Sequence, residues 1–389
     1  MDRARVSVLR CARYEGLERI IYTSLEKIGA LALFKDKVAL LKVNLMVSRP
    51  PEEAVNTHPE FLRWAVRVIK NLGAKKVRVG ESSGAYGFTD EAFEHSGIAR
   101  AAAQEGAELV NFDASAIRSY RINGNVLKEV YLPQDIFDAD ILVTLPKMKT
   151  HSVTTISCAL KNQVGLLPGS TKVDVHRAAK DVRELSEAII DINMAVRFNL
   201  ALVDGVIGLE GNGPTNGSPI KSGLVIAGED LVAVDSVSSF VMGFMPDSVL
   251  TNKIGASRGL GIADLEKIEI IGEKLEGVKL SFKRPGLRRC ARFNLLAPAM
   301  ERLYYHARAG AIRPVILKEL CDLCGACKAV CPAADAINLL SAPRITKSCV
   351  GCYACRGMCP KGAIKLKCKW FLKDAFRAKA KGMPLGELL

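Results

Sequence analysis

Residues 38–79, VALLKVNLMVSRPPEEAVNTHPEFLRWAVRVIKNLGAKKVRV, decide the fold of most of this chain. An apolar run at 38–43 leads into an amphipathic stretch at 59–72, and a second apolar run starts at Lys76. Thr57 and Glu60 form a capping-box pattern at the start of the predicted helix, and Gly73 closes it. Strand, helix and strand in this order make one βαβ unit. The alternation continues from residue 36 to about 275, with strands expected at 38–43, 76–79, 109–112, 141–145, 200–203 and 224–227. Residues 1–280 are therefore expected to form an α/β domain, a mostly parallel sheet with flanking helices.

The chain has 389 residues, which exceeds what one hydrophobic core serves, so a second domain is expected. Its 49% apolar and 25% charged residues are ordinary for a soluble protein. No N-terminal stretch resembles a signal peptide, and no run reaches the ~18 apolar residues of a spanning helix, so a cytoplasmic location is expected.

Twelve cysteines are present, and eight fall into two runs. Cys321, Cys324, Cys327 and Cys331 precede Pro332; Cys349, Cys352, Cys355 and Cys359 precede Pro360, 28 residues later at the same spacing. Three close thiolates on a tight loop fit three corners of an iron–sulfur cubane, and a fourth before a proline reaches the other cluster. Two [4Fe–4S] clusters are thus expected, one on Cys321, Cys324, Cys327 and Cys359 and one on Cys349, Cys352, Cys355 and Cys331. Structural zinc pairs two close ligands with two distant ones, unlike four in a row, and disulfides need an oxidising compartment. Residues 316–367 resemble the bacterial-type two-cluster ferredoxins, which implies a small α+β ferredoxin-like domain. Cys11, Cys158, Cys290 and Cys368 are scattered singly and read as ordinary thiols.

The net charge of +14 is C-terminal: residues 281–389 hold 21 Lys/Arg against 6 Asp/Glu, and residues 1–280 hold 34 against 35. A basic region suggests nucleic acid or a membrane surface, but no nucleic-acid motif accompanies it, and anionic clusters call for nearby cations. Residues 281–315 read as a basic linker with an amphipathic helix around 293–306, and 368–389 as a basic tail. Each suits packing between domains or peripheral contact with a membrane.

In open parallel sheets, ligands bind beyond the carboxyl ends of the strands. The loops expected there are polar: Asn44 and Arg49; Glu81, Ser82 and Ser83; Lys147, Lys149 and His151; Asp204, Glu210 and Asn212. Lysines beside glycine-rich turns suit a phosphate or carboxylate. Residues 145–176 are the densest stretch, with Lys161, Asn162, a Gly165-to-Gly169 turn and His176 added to the lysines. Lys149, His151 and Lys161 are the candidate catalytic residues. Lys147, Asn162, His176, Asp204, Glu210 and Asn212 are the candidates for binding a cofactor or small anionic substrate. The bland alternatives are a histidine capping a loop carbonyl and, at 210–214, a plain turn.

Lys42-Val43-Asn44-Leu45, Thr57-His58-Pro59-Glu60, Pro146-Lys147-Met148-Lys149-Thr150-His151, Leu160-Lys161-Asn162, Val203-Asp204-Gly205, Glu210-Gly211-Asn212-Gly213-Pro214 and Val234-Asp235-Ser236 together resemble the family known as domain of unknown function 362. Its members often carry a ferredoxin module, and its name supplies no reaction. The order His151, Lys161, Pro168-Gly169, His176 is also similar to the segment of nickel-pincer lactate racemases that holds a nucleotide-derived nickel cofactor. That resemblance implies Lys161 as cofactor anchor, His176 as metal ligand and His151 as acid/base. Ser82 and Ser83 stand where those racemases place a catalytic histidine, so the resemblance implies shared fold rather than two-base racemisation.

The expectation is an iron–sulfur oxidoreductase that passes electrons to or from an anionic substrate or cofactor at the strand-end loops. Two alternatives stand beside it. One is a non-catalytic electron-transfer subunit docking to a ferredoxin or oxidoreductase subunit; the other is a cofactor-maturation protein handling a nucleotide-like or nickel species.

Overall fold

A computed structural model of the chain describes residues 3–84, 87–285, 312–333, 335–340 and 342–368. The strands are β1 (Ala4–Arg10), β2 (Val38–Val43), β3 (Lys76–Glu81), β4 (Glu108–Asn111), β5 (Ile117–Arg121), β6 (Glu129–Pro133), β7 (Ile141–Leu145), β8 (Lys147–His151), β9 (Thr155–Ser157), β10 (Leu200–Asn212), β11 (Asn216–Gly228) and β12 (Ile268–Gly272). Eight of them lie side by side in the order β12-β1-β11-β10-β7-β2-β3-β4, while β8 and β9 extend the sheet from β10, and β5 and β6 form a separate pair. Neighbours from β10 through β7, β2 and β3 to β4 are parallel, as are β12 and β1; β1, β11 and β10 pair antiparallel. The α/β reading of a mostly parallel sheet therefore holds.

Both faces of the sheet are covered, which is why the central strands read as unbroken apolar runs. From β2, Ala39, Leu41 and Val43 join one core with Leu17, Phe61 and Ile69 of the helices Leu17–Ile28 and Pro59–Asn71. Leu40 points the other way, into a core with Leu142 and with Ile189 and Val234 of the helices Val182–Ala195 and Leu231–Val241. Each Leu, Ile, Val or Phe side chain among them, fully buried, contributes about 1.5–3 kcal/mol. Lys42 follows Leu40 on the same face, so a charge is carried into a layer built for apolar groups.

Three local readings are corrected. The helix Pro59–Asn71 is capped by His58, whose ring accepts from Glu60 N at 3.2 Å. Thr57 instead donates to Leu145 O at 2.6 Å and accepts from Asn44 N at 2.8 Å, tying together the ends of two strands, so the capping box does not form. Second, the strand expected at 200–203 runs on to Asn212 and forms a long hairpin with β11, with its register shifting between Gly205 and Ile207. Third, residues 147–151 are strand β8 rather than loop, paired with β10 and β9. Polar and glycine residues marked these stretches as loop. Asp204 is tolerated in the strand because Lys147 neutralises it, and Gly208 because a Cβ there would press on Ser222 Oγ and Met148 O.

Residues 312–368 form a separate small unit. Strands β13 (Ile312–Ile316) and β16 (Ile364–Cys368) pair antiparallel, as do β14 (Ile337–Asn338) and β15 (Arg344–Ile345). The duplication is structural: one-turn helices Ala326–Ala329 and Ala354–Gly357 occupy equivalent positions, each preceded by a left-handed residue, Gly325 and Tyr353. This unit sits on the strand-end loops of the sheet. Ser170 N donates to Gly351 O at 2.9 Å, Arg356 Nη1 to Gly87 O at 3.0 Å, and Cys352 and Ala354 pack on Ile117. The helix expected at 293–306, Cys290 and the tail from 369 lie outside the described residues.

Candidate functional site

Four lysines, Lys42, Lys147, Lys149 and Lys172, are buried at the strand ends, where each needs compensation for lost hydration. Lys42 Nζ lies 2.6 Å from Glu81 Oε2 and 3.1 Å from Asn162 Oδ1. Glu81 also accepts from Leu45 N and Ser82 N, so the ion pair links the ends of β2 and β3. Burial pushes the Glu81 carboxyl up to about 7 against the pull of Lys42 and Lys172. Gly165 is required here, since a Cβ would collide with Glu81 Oε1. Lys147 Nζ lies 2.6 Å from Asp204 Oδ2 and 3.2 Å from the Tyr14 hydroxyl, which itself donates to Asp204 Oδ1. His58 stacks on Tyr14 at 3.6 Å and is held down to about 4, chiefly by burial.

Lys149 differs from Lys42 and Lys147, which are paired with carboxylates. Its Nζ donates to Asn44 Oδ1 at 2.7 Å and Val55 O at 2.8 Å, both neutral acceptors, and no carboxylate pairs with it among the described residues. Burial first, then Lys147 and Lys42, depress its pKa well below the usual lysine value. His151 is close by: burial, then Lys161, His176 and Lys149, depress its ring well below the usual value, so it is neutral. Its Nδ1 accepts from Val153 N at 3.1 Å and Thr154 N at 3.3 Å. A neutral imidazole that accepts at Nδ1 carries its proton on Nε2, making it a donor.

Asp235 explains the placement of Lys161 and Asn162. It accepts from Ala159 N at 2.6 Å and Leu160 N at 3.1 Å, fixing the first turn of the helix Ala159–Asn162. Burial pushes its carboxyl up to about 7. Burial likewise raises the neighbouring Cys158 thiol, leaving it inert. Asn162 bridges the whole arrangement, accepting from Lys42 and Asn44 and donating to Thr144 Oγ1.

The structure thus brings Lys149, His151, Lys161, His176 and Asn162 into one polar region, with Lys147 and Asp204 beside it. Glu210 instead accepts from Lys283 N at 2.8 Å, and Asn212 lies exposed at the hairpin tip opposite Asn216. Sequence reasoning missed Lys172 and Asp113. Lys172 Nζ donates to Ser82 O at 2.6 Å, Ser82 Oγ at 2.5 Å and Ser83 O at 2.6 Å. Asp113 accepts from Ser82 Oγ, from Thr89 Oγ1 at 2.7 Å and from Gly169 N at 2.6 Å. Burial brings Lys172 down to about 8 against Asp113 and Glu81. Asp113 follows the end of β4, so the strand-end rule pointed at it. Lys172, inside a helix, gave no such signal.

Residues 312–368 carry the thiols of the two cysteine runs. Cys321, Cys324, Cys327 and Cys359, drawn from both runs, line one cavity together with Ile316, Leu339 and Ile364. Among the described residues no three His, Cys, Asp or Glu side chains are grouped to hold a single metal ion. The Cys352 thiol is pushed up to about 12, first by burial and then by the charges of Cys331 and Cys349. Cys355 is raised by burial and by Cys352, Cys349 and Cys331. A thiolate in such surroundings needs a bound cation to be stable.

Residues 39–239 match the family described as Domain of unknown function (DUF362). The thylakoid-associated protein sll1697 of Synechocystis sp. is 30% identical over 263 residues, 66% of this chain and 79% of that protein. The lactate racemase apoprotein of Thermoanaerobacterium thermosaccharolyticum aligns with a TM-score of 0.37 and 13% identity, over 59% of this chain and 54% of that one. A Thermotoga maritima protein of known crystal structure aligns with a TM-score of 0.38 and 17% identity over 57% of each chain. The chain spans little more than half the length of those two structures. No helix among the described residues is long and apolar enough to cross a membrane.

Proposed function

The chain belongs to the domain of unknown function 362 family, and we propose that it is an iron–sulfur redox protein in which two cysteine sets serve an anion-binding site at the strand ends. Cys321, Cys324, Cys327 and Cys359 hold one [4Fe–4S] cluster, and Cys331, Cys349, Cys352 and Cys355 the other. Such clusters, when bound, pass single electrons. The residues of the sheet do the rest. Lys149, with only neutral partners, and Lys161 and His176 beside it attract the carboxylate or phosphate of a substrate or cofactor. His151 offers Nε2–H to an oxygen of that ligand, and Lys172, Ser82 and Asp113 lie between this region and the loop of Gly351.

The observation that carries the reading is the cavity shared by Cys321, Cys324, Cys327 and Cys359, because Cys359 comes from the other run, as a crossed ligand set requires. The test is anaerobic purification with iron and sulfide analysis and EPR after dithionite reduction. About eight irons per chain and two interacting S = 1/2 signals are expected. Iron near zero after reconstitution, or zinc in its place, sinks the assignment. For the strand-end site, native mass spectrometry should find an anionic small molecule released on denaturation, and Lys149→Met should abolish its retention.

A further inference from the structure

The two cysteine runs share a backbone and differ in where it carries side chains. In Cys321-Asp322-Leu323-Cys324-Gly325-Ala326-Cys327 the third and fifth positions are left-handed, Leu323 at φ 59° and Gly325 at φ 80°. In Cys349-Val350-Gly351-Cys352-Tyr353-Ala354-Cys355 the same two positions are left-handed, Gly351 at φ 75° and Tyr353 at φ 64°. Each loop has one glycine where the backbone favours it and one side chain where a left-handed conformation penalises a Cβ. The two placements are exchanged.

The large domain accounts for the exchange. Gly351 O accepts from Ser170 N at 2.9 Å and Ser170 Oγ at 3.2 Å, and a Cβ on Gly351 would collide with that hydroxyl. A side chain there, such as the leucine of the first run, has no room. Tyr353 is 2% exposed, whereas Leu323 is 50% exposed. The tyrosine ring lies against two glycines of the large domain: a Cβ on Gly169 would be 2.9 Å from Tyr353 Cδ2, and one on Gly87 would be 3.7 Å from Cε2. Arg356 Nη1 donates to Gly87 O, and a Cβ on Gly357 would strike Ala114, so the seam runs on along the same loop. Behind it, Gly169 N donates to Asp113, and Lys172 donates to Ser82 O and Ser83 O just past the end of β3. A bulky residue in a strained conformation persists only where its surroundings over-determine it, and such residues cluster at functional positions.

We propose that Tyr353 is a positioning residue: its ring, seated against Gly169 and Gly87, holds the loop of Cys349, Cys352 and Cys355 in register with the Gly169–Lys172 loop, so that this cysteine set is the one that serves the strand-end site. The fourth member of the set fits the same placement, because Val330, next to Cys331, packs with Cys352 and Ala354 around Ile117 of the large domain. The proposal deepens the proposed function and rests on it. The duplicated loop supplies the backbone that wraps a cluster, and the tyrosine in place of glycine supplies the attachment to the sheet.

The test uses the isotope-labelled holo-protein, with EPR spin counts to report the clusters and two NMR readouts of the amides of Gly169 and Ser170. The first is broadening on reduction with dithionite, since the unpaired electron of a reduced cluster broadens the signals of amides beside it. The second is hydrogen exchange of the Ser170 amide, which donates to Gly351 O. In the wild type both amides should broaden on reduction and Ser170 should exchange slowly. Tyr353→Gly, which suits the left-handed backbone, should keep the wild-type spin count, restore sharp Gly169 and Ser170 signals, and speed Ser170 exchange by about tenfold or more. Gly169→Ala, which presses a methyl on the ring from the sheet side and leaves the cysteine unit unaltered, should do the same. Tyr353→Phe keeps the ring and should return every readout to the wild-type value, and Leu323→Gly, which relieves the corresponding strain in the first run, should change none. Wild-type broadening and exchange in Tyr353→Gly, or release in Tyr353→Phe, overturns the proposal with the clusters still present. Loss of the clusters in both Tyr353→Gly and Gly169→Ala overturns it too, because the seam would then build the clusters rather than position them. Absence of cluster signals in the wild type overturns the underlying reading instead, and the Ser170 exchange comparison, which needs no iron, still decides whether Tyr353 holds the two regions together.

Discussion

The sheet and the cysteine unit are stabilised in opposite ways. The sheet has an apolar core on each face, fed by alternate residues of the same strands. Residues 312–368 have a core of five buried residues, Cys327, Ala336, Ile337, Cys355 and Ile364, two of which are thiols. A unit that small needs covalent or metal staples, and the eight cysteines between 321 and 359 are in no disulfide. A buried neutral thiol is tolerated as a small apolar group, but holding it as a thiolate in such a core requires a cation beside it. On the proposed iron–sulfur reading, metal removal gives the largest expected effect. Stripping iron with a chelator under reducing conditions should expose 312–368 to limited proteolysis while a fragment covering the sheet survives. Equal loss of both regions would break the comparison.

Within the sheet the contrast is between buried charges that are paired and Lys149. Lys147→Ala leaves Asp204 buried with Tyr14 and the His58 backbone as remaining partners, so a loss of about 3–5 kcal/mol is expected in urea unfolding. Lys149→Met removes no partner of a carboxylate and should cost clearly less. Similar losses for the two variants would mean that Lys149 is compensated in the fold.

How far the sequence discloses these features follows from how local their causes are. The strands 38–43 and 141–145 are legible to the residue, because both faces of each are buried and the apolar run has no interruption but Lys42 and Thr144. β10 was legible only as far as Val203. Beyond it, Asp204 and the glycines carry loop chemistry, and what keeps them in a strand is Lys147, 57 residues earlier in the chain. The cap at His58 was hidden for the same reason, since Thr57 satisfies the local pattern but is drawn away by Leu145 O. Among the site residues, the grouping of Lys149, His151, Lys161 and His176 came from their density in one stretch. Lys172 needed the fold, because its partners at Ser82 and Ser83 are about ninety residues away.

The next effect is smaller and depends on pH. Asp235, raised from 3.8 to about 7 chiefly by burial, binds a proton more readily folded than unfolded. Its contribution is thus fully present below about pH 4 and is lost as pH rises through 7, a change on the order of a few kcal/mol. Asp235→Asn should remove that slope from the sheet's unfolding free energy between pH 4 and 7. A variant with the wild-type slope would show that another group is responsible.

His58 gives the smallest effect and the opposite sign. Its ring is held near 4, below the unfolded value of 6.5, so its contribution is present above pH 6.5 and lost as pH falls through 4. Burial is the chief cause; protonation would also remove the Nδ1 lone pair that accepts from Glu60 N. His58→Ala should cost about 1 kcal/mol at pH 7, the usual worth of a helix cap, and progressively less toward pH 4. The loss should appear in the sheet's transition alone, with the EPR signals of the cysteine unit unaltered. A shift in those signals would show that the start of this helix and the cysteine unit are coupled, and that the two regions are not independently stabilised.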